Sequence, residues 1–372
     1  MKSINPLLHR LLKKSWSEQD IQNMIGAYRE AFTAYAINDR IRFGGASGGV
    51  TSAILVSALE SGLTDGAVVC RTRITDDHRV RTEFFIAKNQ EELLLSQDSK
   101  YVQTKFVPEA LSLIEGFDGK LAVVGLPCDL TLLKKKIQRV PQLGAKVQFT
   151  IGLFCGHSSQ HQLIDNVARK LRPQENSRLD HFRFRIGLWR GYSLASFDDH
   201  IIVENKSSYF TLYQNLYFFC QKKCLYCHDH FAYNADISVG DIWSYNQKNK
   251  NIKFNCIINK SEVGSKVISA AHEDGYIFLE NAKIEEIIDG QSRGAPTHNN
   301  TSAKSMAAKK LGMTIPDMHN KKVKWHEYLV ALLILFNFKW SMNDKYSWLI
   351  FKIPRKILRA YLFFLKGLES IK

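Results

Sequence analysis

Residues 220–243 read CQKKCLYCHDHFAYNADISVGDIW. Three of the chain's seven cysteines, Cys220, Cys224 and Cys227, fall within this stretch, and ADISVGDIW follows them with two aspartates and one glycine. Cys224 and Cys227 form a C-x-x-C pair, a spacing that lets both sulfurs reach one ion or cluster from a single turn. The apolar-rich ADISVGDIW reads as a short buried strand. The stretch therefore sets a thiolate group beside a strand and a pocket. Two core thiols without a metal are the competing reading, because free Cys packs as a small hydrophobe.

Upstream, residues 42–49, RFGGASGG, give way to the apolar helical pattern VTSAILVSALESGL. A small-residue loop that opens a helix presents bare N–H groups at the positive end of the dipole, a seat for phosphate. Ser47, Thr51 and Ser52 add hydroxyl donors. Neither the P-loop pattern nor a clean G-x-G-x-x-G is present, so no nucleoside-triphosphate site follows. A plain tight turn is the alternative. Arg71 and Arg73 follow a strand at 67–70, where basic residues suit an anionic ligand or form a solvated edge.

Residues 120–136, KLAVVGLPCDLTLLKKK, repeat the design, with a strand at 121–124, a loop at 125–128 and a helix capped by Asp129 or Thr131. Cys128 then sits at a helix N-terminus, where the dipole favours a thiolate. VQFTIGLFC is a further strand, ending in Cys155. Cys128 and Cys155 thus share one rim of a parallel sheet, the rim where open α/β sheets bind ligands.

From about residue 178 the pattern alternates in period two and reads as antiparallel strands. The expected fold class is α/β: a mixed-sheet core with Gly-rich loop–helix units, an antiparallel β insertion and a basic amphipathic helical tail. The expected organisation is a helical leader over 1–40, with helical spacing at Ile21, Met24, Ile25, Tyr28 and Phe32. An α/β part over 41–175, a part carrying the C-x-x-C motif over 176–300 and the tail over 301–372 follow.

Composition narrows the partners. The 372 residues carry 51 Lys plus Arg against 36 Asp plus Glu, formally +15. That balance favours an anionic partner: a phosphorylated cofactor, an acidic substrate or a membrane surface. No helix-turn-helix, RNP or zinc-finger spacing occurs, so no nucleic-acid module is expected. The first residues lack a continuous apolar core and a small-residue cleavage site, so no signal peptide is read and a cytoplasmic chain is expected. Odd, scattered cysteines in such a chain suit reduced thiols acting as ligands.

The tail is basic, with eleven Lys plus Arg and three acidic residues over 321–372. Its apolar run YLVALLILFNF is short of the roughly 20 residues a bilayer crossing needs. IPRKILRAYLFFLKGL places Ile357, Leu358, Tyr361, Leu362 and Leu365 on one helical face, with Arg355, Lys356, Arg359 and Lys366 elsewhere. This suits a peripheral anchor at the inner face of the membrane, or a helix packed on the protein or a partner.

In order, GASGGVTSAILVSALESGLTDGAVV, VGLPCDLTLLKK, GLFC and CLYCHDHFAYNADISVGDIW resemble the beta-subunit family of coenzyme F420 hydrogenases and dehydrogenases. The resemblance spans residues 40–290. It implies an iron–sulfur flavoprotein oxidoreductase with FAD and one [4Fe–4S] cluster. Electrons would pass between an external one-electron partner and a two-electron carrier or substrate, with coenzyme F420 as one such carrier. The implied cluster ligands are Cys128, Cys155, Cys224 and Cys227, four thiolates being the usual set; Cys220 is a fifth candidate. The implied flavin contacts are Gly45, Ser47, Gly48, Gly49 and Thr51, with Arg71, Gly125 and Ser238 beside them. Asp229, Asp236 and Asp241, the candidate catalytic residues, would lie near the cluster or flavin ring, with capping and strand-end hydrogen bonds as their alternative role. Cys70 and Cys256 read as core thiols.

Two departures stand out. Many members of that family begin with a ferredoxin-like segment, whereas residues 1–40 contain no cysteine. The electron donor is therefore expected to be a separate protein such as a ferredoxin. The tail also lies outside the resemblance, which leaves F420 itself open. Two other classes stay open: a zinc-binding or metal-free scaffold at a membrane surface, and a non-redox enzyme of surface-polysaccharide biosynthesis.

Overall fold

Ser17 opens the described chain's first helix, Glu18–Ile25, with a capping box to Asp20, and Gly26 at φ 75° ends it. The computed structural model describes residues 16–188, 191–198, 200–204, 208–243, 251–292 and 294–371. The start of the expected leader, residues 1–15, and the Lys/Asn-rich loop at 244–250 lie outside the described residues. The expected helical leader is interrupted: Phe32, read at helical spacing, lies in a strand. That spacing spanned two elements, because Gly26 closes the helix before AFTAYA begins.

The strands are β1 (Glu30–Ala36), β2 (Gly66–Ile74), β3 (Val80–Ala87), β4 (Leu121–Gly125), β5 (Val147–Leu153), β6 (Leu179–Ile186), β7 (Tyr192–Phe197), β8 (His200–Glu204), β9 (Ile237–Asp241), β10 (Asn255–Asn259) and β11 (Ile277–Asn281). Eight form a mixed sheet in the order β11-β1-β10-β9-β5-β4-β2-β3. β2, β4, β5 and β9 pair in parallel. β10 lies antiparallel between β9 and β1. Two reversals restore the direction, so β1, β9, β5, β4 and β2 all end at one rim. β4 and β10 are buried at every position, as strands covered on both faces must be.

One face is covered by helices Val50–Glu60 and Glu262–Glu273, which pack Ile54, Leu55, Val267 and Ile268 against the strands. Helix Pro127–Arg139 covers part of the other with Leu130 and Leu133. Strands from the expected 41–175 and 176–300 parts share this one sheet. The antiparallel insertion forms a separate sheet, β6-β7-β8.

The tail helices Thr301–Lys310, Trp325–Ser341 and Arg355–Glu369 join the core of that small sheet through residues such as Ala307, Leu335, Leu358 and Leu365. The apolar stripe of the last helix therefore faces protein. Ile357, assigned to that stripe from the sequence, is instead 58% exposed. Among the described residues no helix is long and apolar enough to cross a membrane.

Candidate functional site

The glycine loop bridges helices Asp39–Gly44 and Val50–Glu60. Gly49 is the N-cap at φ 76°, and a Cβ there would meet the Ile41 carbonyl oxygen at 2.7 Å. Only glycine fits both demands. Gly49 offers no side chain to cap the helix; the Asn255 Oδ1 accepts from Val50 N at 3.3 Å, which leaves the first-turn N–H groups of Thr51 and Ser52, two residues that line a cavity. Three cations grip the loop's carbonyls. Arg183 Nη2 donates to Gly44 O at 2.7 Å, Lys253 Nζ to Gly45 O at 2.8 Å, and Arg185 to Ala46 O from Nε at 3.0 Å and Nη2 at 2.8 Å. In a trans peptide the N–H opposes the preceding C=O. The N–H groups of Ala46 and Ser47 therefore point away from Lys253 and Arg185.

The cavity measures about 580 Å³ and runs from this loop to the rim, where Gly125, Cys155, His157, Asp241 and Trp243 line it. That size is in the range of small-molecule and cofactor sites. Tyr101, Phe184 and Phe210 form an aromatic wall, with ring centroids 5.9 and 6.4 Å from Tyr101. Arg185 closes the wall with a bidentate pair to Asp241 at 2.5 and 2.6 Å. The tail also contributes: Leu362, Lys366 and Glu369 of the last helix line the cavity.

Cys128 follows β4, Cys155 follows β5, Cys220 and Cys227 flank helix Lys222–Tyr226, and Cys224 lies within it. The fold brings these five together. Cys128 feels the charges of Cys224 and Cys227, and Cys155 those of Cys128, Cys224 and Cys227. Burial pushes Cys128 up to about 12, Cys227 to about 11, and Cys155 well above its ordinary value. The helix dipole expected to favour a Cys128 thiolate is therefore outweighed by burial, with Asp129 adding to the rise. Cys224 alone goes down, to about 7, because Cys220 donates a hydrogen bond to it; the Ser158 N–H adds another at 3.4 Å. Lys223 Nζ stands 3.7 Å from Cys128 Sγ. Among the described residues no three His, Cys, Asp or Glu side chains gather closely enough to hold one metal ion. A four-iron cluster, with one thiolate per iron, draws its ligands around a wider volume than a single ion does.

The other expected residues divide. Gly45, Ser47, Gly49, Thr51, Gly125 and Asp241 line the cavity. Gly48 is not among its lining residues; a Cβ there would meet Lys253 O at 2.9 Å and Ala34 O at 3.0 Å, so it backs onto the sheet. Arg71 is also outside the lining, pairing with Glu83 at 3.1 Å on β3. Ser238 is fully buried and donates to Ala232 O at 3.3 Å. Asp236 is likewise away from the cavity. Its Oδ2 accepts from Thr150 N and Oγ1 at 2.8 and 2.7 Å, and its Oδ1 from Ser261 Oγ at 2.7 Å. Gly48, Arg71, Ser238 and Asp236 thus lie outside the cavity lining, Gly48 through close backbone packing, Arg71 and Ser238 through strand alternation, and Asp236 through its bonds to Thr150 and Ser261. Asp229 is buried beside the thiols, accepts from Tyr233 N at 2.9 Å, and is pushed up to about 6 by burial. Cys256 is a core thiol, but Cys70, expected in the core, lines the cavity.

Arg183, Arg185, Lys253 and Lys304 were not singled out from the sequence. The only signal for Arg185 is its place in the alternating FRFRI run, where an arginine usually faces solvent. Lys253 lies in a polar stretch with no motif, and Lys304 in a helix whose lysines read as surface.

The family model described as coenzyme F420 hydrogenase/dehydrogenase, beta subunit N-term, matches residues 31–112, and the companion model for the C-terminal part of that same beta subunit matches residues 118–285. The coenzyme F420 hydrogenase subunit beta of Methanosarcina barkeri is 24% identical over 275 residues, covering 72% of this chain and 86% of its own. That of Methanothermobacter thermautotrophicus is 23% identical, covering 79% of this chain and 99% of its own. The coenzyme F420-dependent sulfite reductase of Methanocaldococcus jannaschii is 27% identical over 65% of this chain but only 36% of its own length. A chain of the F420-reducing [NiFe] hydrogenase complex from Methanosarcina barkeri has a similar fold, with a TM-score of 0.55 at 19% identity, over 79% of this chain and 98% of that one.

Proposed function

Because the chain belongs to the coenzyme F420 hydrogenase/dehydrogenase beta-subunit family, we propose that it is an oxidoreductase dependent on FAD and one [4Fe–4S] cluster. It exchanges electrons between a separate one-electron protein, such as a ferredoxin, and a two-electron carrier or substrate. Coenzyme F420, named in its relatives' descriptions, is one such carrier. One continuous cavity joins the glycine loop to Cys155, and this continuity carries the proposal.

The residues present fit both groups. Cys128, Cys155, Cys224 and Cys227 would hold the cluster, with Cys220 behind Cys224. The loop N–H groups of Ala46 and Ser47 and the start of helix Val50–Glu60 would hold the flavin phosphates. When bound, these groups supply the exchange between one- and two-electron chemistry. The chain supplies position and charge. Arg183, Arg185 and Lys253 fix the loop, the Tyr101, Phe184 and Phe210 rings exclude water, and thiols that burial keeps protonated release their protons on loading. The test is anaerobic purification followed by iron, sulfide and flavin analysis. Iron with matching sulfide and flavin is expected; a colourless chain with none of them ends the proposal, and zinc without sulfide favours the scaffold alternative.

One observation extends this to location. On helix Arg355–Glu369, Leu358 and Leu365 face the core, whereas Ile357, Phe363 and Phe364 are 58%, 54% and 54% exposed on the outward side. Lys356 and Arg359, also exposed, accompany them. Aromatic and aliphatic side chains among cations suit an anionic bilayer surface, and the tail meets that surface at the inner face of the membrane. The same helix lines the cavity with Leu362 and Lys366, so docking there would orient the cavity relative to the bilayer.

A further inference from the structure

Lys304 lies on helix Thr301–Lys310, beyond the residues matched by the family models. It is only 3% exposed. Among the described residues its ammonium makes two side-chain hydrogen bonds, both to backbone carbonyls: Cys227 O and His298 O, each at 2.8 Å. Burial weakens its charge, and the groups that restore it are Cys227, Cys220 and Cys224. A buried ammonium served by two neutral carbonyls is costly unless an anion accompanies it. A protonated thiol is no such anion, and Cys224, the one thiol held down, offers at most a single charge. A thiolate-ligated cluster is such an anion, because its ligands have lost their protons and the centre gains a further negative charge on reduction.

Resting on the cluster assignment above, we infer that Lys304 is the built-in counter-charge of the thiolate centre, supplied by the tail, which raises the potential at which that centre takes up an electron. The ammonium favours the more negative state of whatever Cys227 ligates. At low dielectric its influence is stronger and less screened than that of a surface charge. Lys223, exposed and 3.7 Å from Cys128 Sγ, serves as the internal comparison.

The full-length protein is loaded anaerobically with iron and sulfide, and its midpoint potential is followed by voltammetry and electron paramagnetic resonance. Lys304→Met is expected to shift the midpoint to lower potential, with a shift that persists at high salt. Lys304→Arg should restore most of it, and Lys223→Met should give a smaller shift that salt abolishes. A fully loaded Lys304→Met protein at the wild-type midpoint overturns the inference. If Lys304→Met takes up no iron, Lys304→Gln keeps a neutral donor to the carbonyls. A loaded Gln variant at the wild-type midpoint also overturns the inference, and a loaded one at lower potential supports it. If neither neutral variant loads, loading of Lys304→Arg supports a need for charge, and its failure to load assigns Lys304 to packing alone. A wild-type chain that takes up no iron or sulfide counts against the cluster itself, whatever Lys304 does.

Discussion

Arg185, on the small antiparallel sheet, and Asp241, at the end of β9, meet through two parallel hydrogen bonds of 2.5 and 2.6 Å while Arg185 also holds Ala46 O. One side chain thus clamps the insertion, the glycine loop and the motif strand together. Asp241 acts through that clamp, as a fixed charge in the cavity wall. Arg185→Met leaves Asp241 without its partner and should cost about 3–5 kcal/mol, seen as a lowered urea midpoint together with lost flavin. Arg185→Lys should rescue little, because an ammonium cannot reproduce the fork. A Met variant that unfolds like the wild type and keeps its flavin would show that the clamp is dispensable.

Cys227 and Cys256 have opposite roles under the thiol assignments. Cys227→Ser should abolish iron uptake. Cys256→Ser, whose thiol points at Gly240 O and Asp241 O in the core, should leave iron per chain unchanged. Equal iron in both variants refutes the ligand set.

Asp236 is expected to be structural. Asp236→Asn weakens its links to Thr150 and Ser261 and should cost about 1–3 kcal/mol of stability with flavin content intact at temperatures well below the melt. Loss of flavin from a variant of near-wild-type stability would return Asp236 to the site.

Burial pulls the Lys260 ammonium down to about 8 from its ordinary 10.5, although Asp229 partly restores it. Between those two values the unfolded chain holds a proton that the folded chain has released, so this group's contribution to stability rises with pH across that window. Wild type should gain about 3 kcal/mol relative to Lys260→Met over that range. Denaturant curves at pH 8 and near pH 10.5 give the difference directly, and parallel curves for the two proteins would contradict the buried-ammonium assignment.

The outward stripe predicts membrane binding. Wild-type protein should sediment with phosphatidylglycerol-containing vesicles at low salt and not with pure phosphatidylcholine vesicles. Phe363→Ser combined with Phe364→Ser should remove that binding without changing the melting temperature, since neither ring is in the core. Protein that stays in the supernatant with anionic vesicles would disprove the membrane contact.

The rim was legible in the sequence wherever a strand ended in a motif. GLPC and GLFC marked two neighbouring parallel strands, and the glycine loop marked the helix that starts beside them. What stayed hidden depends on which way a side chain turns. Ser238 lies on a strand that ends at the site and Asp236 just before it, yet alternation takes Ser238, and local partners take Asp236, away from the cavity. Arg185 and Lys304 reach the site from elements with no motif, and only tertiary contact reveals a buried cation. The last helix was half-read: Leu358 and Leu365 do face protein, but Ile357, one residue from Leu358, turns about 100° away around the helix axis.

The place of β1 has a consequence for how this chain could be divided. β1 comes from the N-terminal matched segment, yet its neighbours on both sides, β10 and β11, come from the C-terminal one. The two matched segments are therefore not separable modules. Expressed apart, the first would carry a strand with both edges bare, and the second a sheet with a vacant slot. Each would be an invitation to mispairing, so a split version should recover only when the halves are made together.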